Sequence, residues 1–135
     1  MNKDGLQRCK YLDKLGIPIE NYGTNFCDKS DKRWKRWMKQ RKKYGFDDRE
    51  TWNLDQMFYE WIYTRFMMYK EVSIADLEYN KIKLENGKKI SLGEAIDIVI
   101  EGCKKIILGE SHKLDDSLPH EVWEVLEKVM PYMWW

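Results

Sequence analysis

Two charged residues interrupt an apolar helical pattern between Tyr44 and Lys70, and they are the first candidates for chemistry. Helical spacing places both Asp55 and Arg65 among aromatic and aliphatic side chains. Burying an unpaired charge is costly, so each of them needs a partner. One interpretation is structural, with Asp55 accepting from a tryptophan or tyrosine or pairing with an arginine of the preceding helix. The other is an aromatic pocket in which the two charges recognise a polar ligand.

A dense basic run precedes this segment and is the strongest binding signal in the sequence. Residues 31–44 read DKRWKRWMKQRKKY, with Trp34 and Trp37 between the cations and no acid after the first residue. Lysines and arginines can contact phosphates while aromatic rings stack on bases. The same run is also typical of a solvated helix face, or of a surface opposite an acidic protein. A further interpretation is an anionic-ligand pocket, whose candidate phosphate contacts are Arg41, Arg49 and Arg65.

The sequence contains no recognisable catalytic or metal-binding pattern. His112 and His120 are separated by a polar loop without a nearby cysteine, and neither glycine-rich phosphate motif occurs. An odd number of distant cysteines (Cys9, Cys27, Cys103) argues against a disulfide framework or a zinc site and favours reduced thiols. We therefore predict that the protein is not an enzyme and uses no metal or cofactor.

These candidates are positioned by a long helix predicted at about residues 47–71. Asp47 followed by Glu50 forms a capping box, and no glycine or proline follows before Val72. Asn53, Gln56, Glu60 and Thr64 share one edge, which predicts a narrow polar face. Because most of the remaining circumference is apolar, this helix is predicted to be packed from several sides.

Four further helices and one hairpin complete the predicted fold. Helices are predicted at 3–15, at 31–44 with a stop at Gly45, from Ser91 to Gly109, and from Pro119 to Pro131. Ser91 and Glu94 form a capping box, and the helix that follows has the apolar stripe Leu92, Ala95, Ile96, Val99, Ile100, Cys103, Ile106 and Ile107. The Asn86–Gly87 dipeptide predicts a two-residue turn in a hairpin at about 81–90. The two terminal tryptophans, Trp134 and Trp135, are predicted to dock on the core, on a partner subunit or in a ligand site. The prediction is a mainly α fold, a compact bundle of about five helices around the central helix.

Length and composition place the chain among folded globular proteins. With 135 residues, 14% aromatic and 35% charged, it is predicted to be a single domain spanning 1–135. Because the formal net charge is only +1, any attraction for nucleic acid must be local. No signal peptide or membrane-spanning run is recognisable, so we expect a protein without membrane association, in a cytoplasm.

The central segment resembles a group of small proteins encoded by tailed bacteriophages. The stretch RKKYGFDDRETWNLD followed by FMMYKE carries the resemblance, and the ending PYMWW is similar to theirs. The matching positions are Gly45, Phe46, Asp48, Glu50, Trp52, Leu54 and Asp55, followed by Tyr69, Lys70 and Glu71. The likeness covers about a third of the chain and implies no activity. It implies a phage or prophage origin, and hence the cytoplasm of a bacterial host cell.

The leading functional hypothesis is a non-enzymatic inhibitor of bacterial anti-phage defence that sequesters a small anionic nucleotide signal. Trp52, Tyr59, Tyr69 and Trp135 would stack on the base; Arg41, Arg49, Arg65 and Lys70 would hold phosphate; Asp55 would accept from a base or ribose. The alternative is a protein-binding inhibitor of a host defence factor or a phage assembly accessory, and a DNA-binding regulator is third. Self-association through the aromatic tail, giving a homo-oligomer, is a further expectation.

Overall fold

The protein is mainly helical, with one small hairpin, as predicted. The computed structural model describes residues 8–22, 29–52, 54–109 and 117–134. Its described residues form six α-helices: α1 (Lys10–Lys14), α2 (Trp34–Tyr44), α3 (Asp48–Trp52), α4 (Leu54–Val72), α5 (Leu92–Ile107) and α6 (His120–Val129). The strands are β1 (Lys81–Lys83) and β2 (Lys89–Ser91), and two short 3-10 helices cover Ile19–Asn21 and Met130–Tyr132.

The chain divides into two compact units. The first unit comprises Met1–Trp61 and the second comprises Ile62–Trp135, so the boundary falls within α4. The single domain predicted for 1–135 stays a prediction.

The first unit begins with a short helix that is held by a tyrosine. Of the helix predicted at 3–15, residues 3–7 lie outside the described residues, whereas Cys9 is extended and α1 begins at Lys10, later than predicted. Gly16, with a φ of +81°, follows the helix as expected of a stop. The hydroxyl of Tyr22 accepts from the backbone N–H of Cys9 at 3.0 Å and donates to Asp13 at 2.5 Å. These bonds fasten the segment before α2 to α1.

Helices α2 and α3 are joined by a side-chain bridge. Helix α2 ends at Gly45, in the left-handed conformation with a φ of +86°, as predicted. Gln40 on α2 donates to the Asp48 carboxylate at 2.7 Å and accepts from the Asp48 backbone N–H at 3.0 Å. Arg36 adds an ion pair to Asp48 at 2.7 Å. The start of α3 is thus fixed against α2.

The predicted central helix is present, but its orientation was predicted wrongly. Its two parts are α3 and α4, and Asn53 between them is outside the described residues. Glu60 and Thr64, assigned to the polar edge, are only 5% and 7% exposed, whereas Leu54 is 64% exposed. Helical spacing identifies which residues share a face, but packing decides which face is buried.

The hairpin forms at the predicted place with a different turn. Ile82 pairs with Ile90 in an antiparallel register, and both are buried. The backbone N–H of Gly87 donates to Leu84 O at 2.9 Å, and that of Leu84 donates to Lys88 O at 2.8 Å. Residues 85–87 therefore form a three-residue loop with Gly87 at a φ of +87°, which corrects the predicted two-residue turn.

The second unit has an apolar interior built on α5. The Ser91 hydroxyl accepts from the Glu94 N–H at 3.1 Å, which confirms this cap. The predicted apolar stripe is buried at every position: Leu92, Ala95, Ile96, Val99, Ile100, Cys103, Ile106 and Ile107. A Cβ on Gly102 would lie 2.9 Å from Val122, so the absence of a side chain there permits the close approach of α6.

The C-terminal tail does not follow the prediction of docking on the core. Trp134 is 78% exposed, and Trp135 lies outside the described residues. Pro131 falls within the last 3-10 turn, after α6 has ended at Val129. Docking of the tail on a partner stays a prediction.

Candidate functional site

Two arginines and one aspartate form a buried cluster in the first unit. Arg41 Nε donates to the Asp47 carboxylate at 2.6 Å, while Arg49 donates to it through Nε at 3.1 Å and Nη2 at 2.9 Å. Asp47 also accepts from the Arg49 backbone N–H at 2.9 Å, which is the expected cap of α3. We call Arg41, Asp47 and Arg49 the buried arginine cluster; Asp47 and Arg49 are at most 1% exposed.

These hydrogen bonds stabilise the ionised form of Asp47. Burial disfavours the ionised form of Asp47, but the bonds from Arg49 and Arg41 outweigh it and hold the pKa of this carboxyl below its ordinary value. Glu50 behaves in the opposite way: burial raises its pKa to about 7, and the charge of Asp47 acts in the same direction. Among the described residues, the Oε2 atom of Glu50 is buried without a hydrogen-bond partner. Asp47 is therefore the anion that neutralises the cluster, whereas burial beside the cluster disfavours the ionised form of Glu50.

The remaining guanidinium donors hold the 3-10 turn at Ile19–Asn21. Arg41 donates to Ile19 O at 3.0 Å and to Tyr22 O, and Arg49 donates to Glu20 O at 2.6 Å. These bonds engage guanidinium groups of Arg41 and Arg49 that were predicted to contact ligand phosphates, and that contact stays a prediction. Both guanidinium groups lie inside the first unit and fasten an otherwise irregular segment to α2 and α3.

Aromatic rings surround these cations. The guanidinium carbon of Arg49 lies 5.1 Å from the ring centroid of Trp34 and 4.8 Å from that of Trp37. Trp37 is fully buried and meets Trp52 edge-on at 5.5 Å between ring centroids. Trp52, a predicted stacking residue, is about half exposed. The structure thus joins two predicted site residues, Arg49 and Trp52, through Trp37.

An open groove lies beside Trp34. It encloses about 480 Å³. We call it the Trp34 groove; its lining residues are Pro18, Glu20, Asn21, Lys29, Ser30 and Trp34. Lys29 Nζ lies 3.8 Å from the Glu20 carboxylate, and the Lys29 side chain is 76% exposed. The groove therefore combines an aromatic ring, a cation, a carboxylate and an amide.

Exposed lysines lie along the outer side of α2 and just before its start. At 100° per residue, Lys35, Lys39, Lys42 and Lys43 of α2 fall within an arc of about 100°. Lys32 precedes the helix, and all five lysines are exposed. We call this surface the α2 face; its residues are Lys32, Lys35, Lys39, Lys42 and Lys43. Arg36 pairs with Asp48, but within the described part of the chain none of these five lysines forms an ion pair.

An exposed aromatic pair adjoins the end of the α2 face. Tyr44 and Phe46 are 57% and 48% exposed, and their ring centroids lie 6.1 Å apart with an interplanar angle of 38°. The Lys43 ammonium lies 5.1 Å from the centroid of the Tyr44 ring. Flat rings and cations therefore meet at the surface where α2 ends.

Asp55 and Arg65, the two charges predicted to lie on an apolar helix face, are not buried. Asp55 is exposed, and its carboxylate accepts from the adjacent Gln56 N–H at 2.9 Å. Arg65 is also exposed and donates to the Thr64 hydroxyl at 2.9 Å. The expectation that they lie on a buried apolar face is wrong, because α4 turns a different side inward. The structure therefore gives neither charge the enclosed aromatic surroundings that the predicted pocket requires.

The other predicted site residues differ in their exposure. Tyr59 and Tyr69 are buried, and among the described residues the Tyr69 hydroxyl has no hydrogen-bond partner. Lys70 pairs with Asp97 at 2.6 Å on the surface of the second unit. Trp135 lies outside the described residues.

From the sequence, Asp47 is predicted only as a helix cap, and Trp34 is the one groove residue that is singled out. The spacing of Arg41, Asp47 and Arg49 was visible, but their convergence depends on the turn after Gly45. Four of the groove residues come from the segment 17–29, which has no helical period, so its aperiodic composition was the one available signal for them.

Comparison of the chain with protein-family models, curated proteins and solved structures finds no match. Among the described residues, no three potential metal ligands of the His, Cys, Asp or Glu type cluster together. The helices formed by these residues are all too short or too polar to cross a membrane. The candidate functional surfaces of the described residues are those of the first unit, namely the Trp34 groove and the α2 face.

Proposed function

We propose that this protein is a non-enzymatic binder of single-stranded nucleic acid and that the α2 face is its contact surface. The observation that carries the proposal is the row of five exposed lysines without ion-pair partners among the described residues. The α2 face spans about 12 Å from Lys35 to Lys43 at 1.5 Å per residue. Unneutralised cations in a row attract a polyphosphate backbone and release its counterions.

The aromatic pair supports a single strand over a duplex. Tyr44 and Phe46 present exposed rings beside Lys43. Unpaired bases can stack on such rings, and each base–aromatic stack contributes about 1–3 kcal/mol. Bases within a duplex have both faces covered by their neighbours. A strand with its phosphates on the α2 face and a base at Tyr44–Phe46 would use both features.

The proposal is tested by fluorescence anisotropy with a labelled single strand of about ten nucleotides. The triple variant Lys39→Glu, Lys42→Glu, Lys43→Glu is expected to abolish measurable binding. Replacing the same lysines by alanine is expected to reduce the slope of log K against log salt by about 2, since each phosphate contact contributes about 0.7.

A matched control is available on the hairpin. Lys81, Lys83 and Lys89 are exposed, and their reversal to glutamate changes net charge by the same amount. This variant is expected to retain most of the affinity of the unmodified protein. An equal loss of affinity in both triple variants would mean that binding depends only on net charge, and this would contradict the proposal. Stronger binding of an acidic protein than of any oligonucleotide would favour the alternative, a protein-binding inhibitor.

Sequestration of a small nucleotide is the second candidate function. It is supported by the Trp34 groove, which provides an aromatic ring and an exposed lysine in one cavity. The residues predicted for this role from the sequence are replaced in the proposal by those of the groove. The resemblance to phage proteins supplies the proposed setting, interference with anti-phage defence in a bacterial cytoplasm.

A further inference from the structure

We infer that the Trp34 groove binds a nucleoside phosphate, with the base against the indole of Trp34 and a phosphate at Lys29. The inference rests on the second function proposed above and gives it a site. It does not depend on nucleic-acid binding by the α2 face.

The size and lining of the groove match this ligand class. Its volume of about 480 Å³ lies in the range typical of small-molecule sites. A nucleotide carries a flat ring, hydroxyl groups and a phosphate. The groove offers an indole for the ring, a carboxylate at Glu20 and an amide at Asn21 for the hydroxyls, and an ammonium at Lys29 for the phosphate.

The buried arginine cluster fixes both walls of the groove. Arg49 packs on the Trp34 ring at 5.1 Å and donates to Glu20 O at 2.6 Å, so one side chain contacts two lining residues. Arg41 holds the adjacent Ile19 carbonyl at 3.0 Å. Burying several charges seldom gives the most stable interior, and such groups are better explained when they enforce a particular geometry. Here the enforced geometry is that of the groove walls, which act as a preorganised site.

Lys29 is suited to receive a phosphate. Its contact with Glu20 is long, 3.8 Å, and its side chain is mostly exposed. A pair of this kind contributes little in water, so the ammonium can turn to a phosphate without losing a strong bond. Glu20 then remains available to accept from ribose hydroxyls.

Isothermal titration calorimetry with ADP tests the inference, with adenosine and pyrophosphate as separate probes. We expect ADP to bind more tightly than either fragment. Lys29→Ala is expected to raise the Kd for ADP about fivefold, and Trp34→Ala to raise it about tenfold or more. Lys83→Ala removes an exposed lysine of the hairpin and is expected to leave the Kd unchanged. Far-UV circular dichroism checks that each variant is folded.

Lys29 keeps the test decisive if Trp34→Ala does not fold, because its side chain is 76% exposed and its removal should leave the fold intact. ADP binding that survives both substitutions would overturn the groove as the site while leaving sequestration in place. Pyrophosphate binding as tight as that of ADP would reduce the site to an anion contact and also overturn the inference. Absence of saturable heat with ADP would remove the inference and its parent function together, whereas oligonucleotide binding would be unaffected.

Discussion

The two units differ in what fills their interiors. In the first, Arg41, Asp47 and Arg49 are buried together and bonded to backbone carbonyls of a neighbouring turn. In the second, α5 presents an unbroken apolar stripe, with Val99 and Cys103 fully buried. Apolar contact is non-directional and tolerates small shifts, whereas guanidinium bonds specify the positions of particular carbonyls. The unit with the directional interior is also the one with the candidate site.

The largest expected effect is the loss of the buried anion. Asp47→Asn removes the charge that neutralises Arg41 and Arg49, and leaving buried cations uncompensated costs about 3–5 kcal/mol. Urea unfolding followed by tryptophan fluorescence measures this loss. Asp97→Asn breaks the exposed pair with Lys70 and is expected to cost at most about 1 kcal/mol. Similar losses in the two variants would contradict the account of the first interior.

Truncation of a buried apolar side chain in the second unit should destabilise the protein somewhat less, and this loss of stability should not depend on pH. Ile96 is fully buried on α5, and Ile96→Ala is expected to cost about 3 kcal/mol through lost contacts and the cavity left behind. Ile98→Ala, on the more exposed side of α5, is expected to change stability by about 0.5 kcal/mol or less. The loss in Ile96→Ala should be the same at pH 5 and pH 7, since no titrating group is involved. A stability loss in Ile96→Ala that differed between pH 5 and pH 7 would contradict the distinction between the two interiors.

The smallest expected effect is a change in stability with pH, which should occur in the first unit because Glu50 is buried there. The pKa of Glu50 is raised from 4.5 to about 7, so the folded protein holds a proton that the unfolded chain releases in this window. Stability of the first unit should therefore fall as pH rises from about 4.5 to 7, by roughly 2 kcal/mol. The lowered pKa of Asp47 acts oppositely at lower pH, where its contribution is lost as pH falls through the folded value.

Glu50→Gln provides the matched measurement. Glutamine is neutral throughout, so the decline in stability between pH 4.5 and 7 should disappear while the acid-side loss from Asp47 persists. Urea midpoints at several pH values detect the difference. A decline that survives Glu50→Gln would assign it to another group.

Regular periodicity made the second unit predictable. The spacing of apolar residues identified every buried position of α5, and the Ser91 cap and the hairpin followed from local signals. Gly87 was recognised as a turn residue, but the turn register depends on hydrogen bonds across the hairpin, which composition alone does not encode. Local sequence signals therefore predicted the helix, its cap and the place of the hairpin in the second unit.

The first unit and α4 could not be predicted in the same way. Because α4 is apolar over most of its circumference, helical periodicity alone did not determine which face is buried. Asp55 and Arg65 were therefore assigned to a buried face, although both are exposed. The convergence of Arg41 and Arg49 on Asp47 depends on the corner at Gly45 and on a 3-10 turn about 20 residues earlier in the chain. The Trp34 groove combines residues from that aperiodic segment with the start of α2. Such sites depend on tertiary geometry.

The most direct test of the proposed function is an amide NMR titration with a single-stranded oligonucleotide. The account predicts chemical-shift changes concentrated in residues 32–46, where the α2 face and the Tyr44–Phe46 pair lie, with little change in the hairpin. Shifts centred on the hairpin lysines, or spread evenly over all exposed lysines, would contradict it.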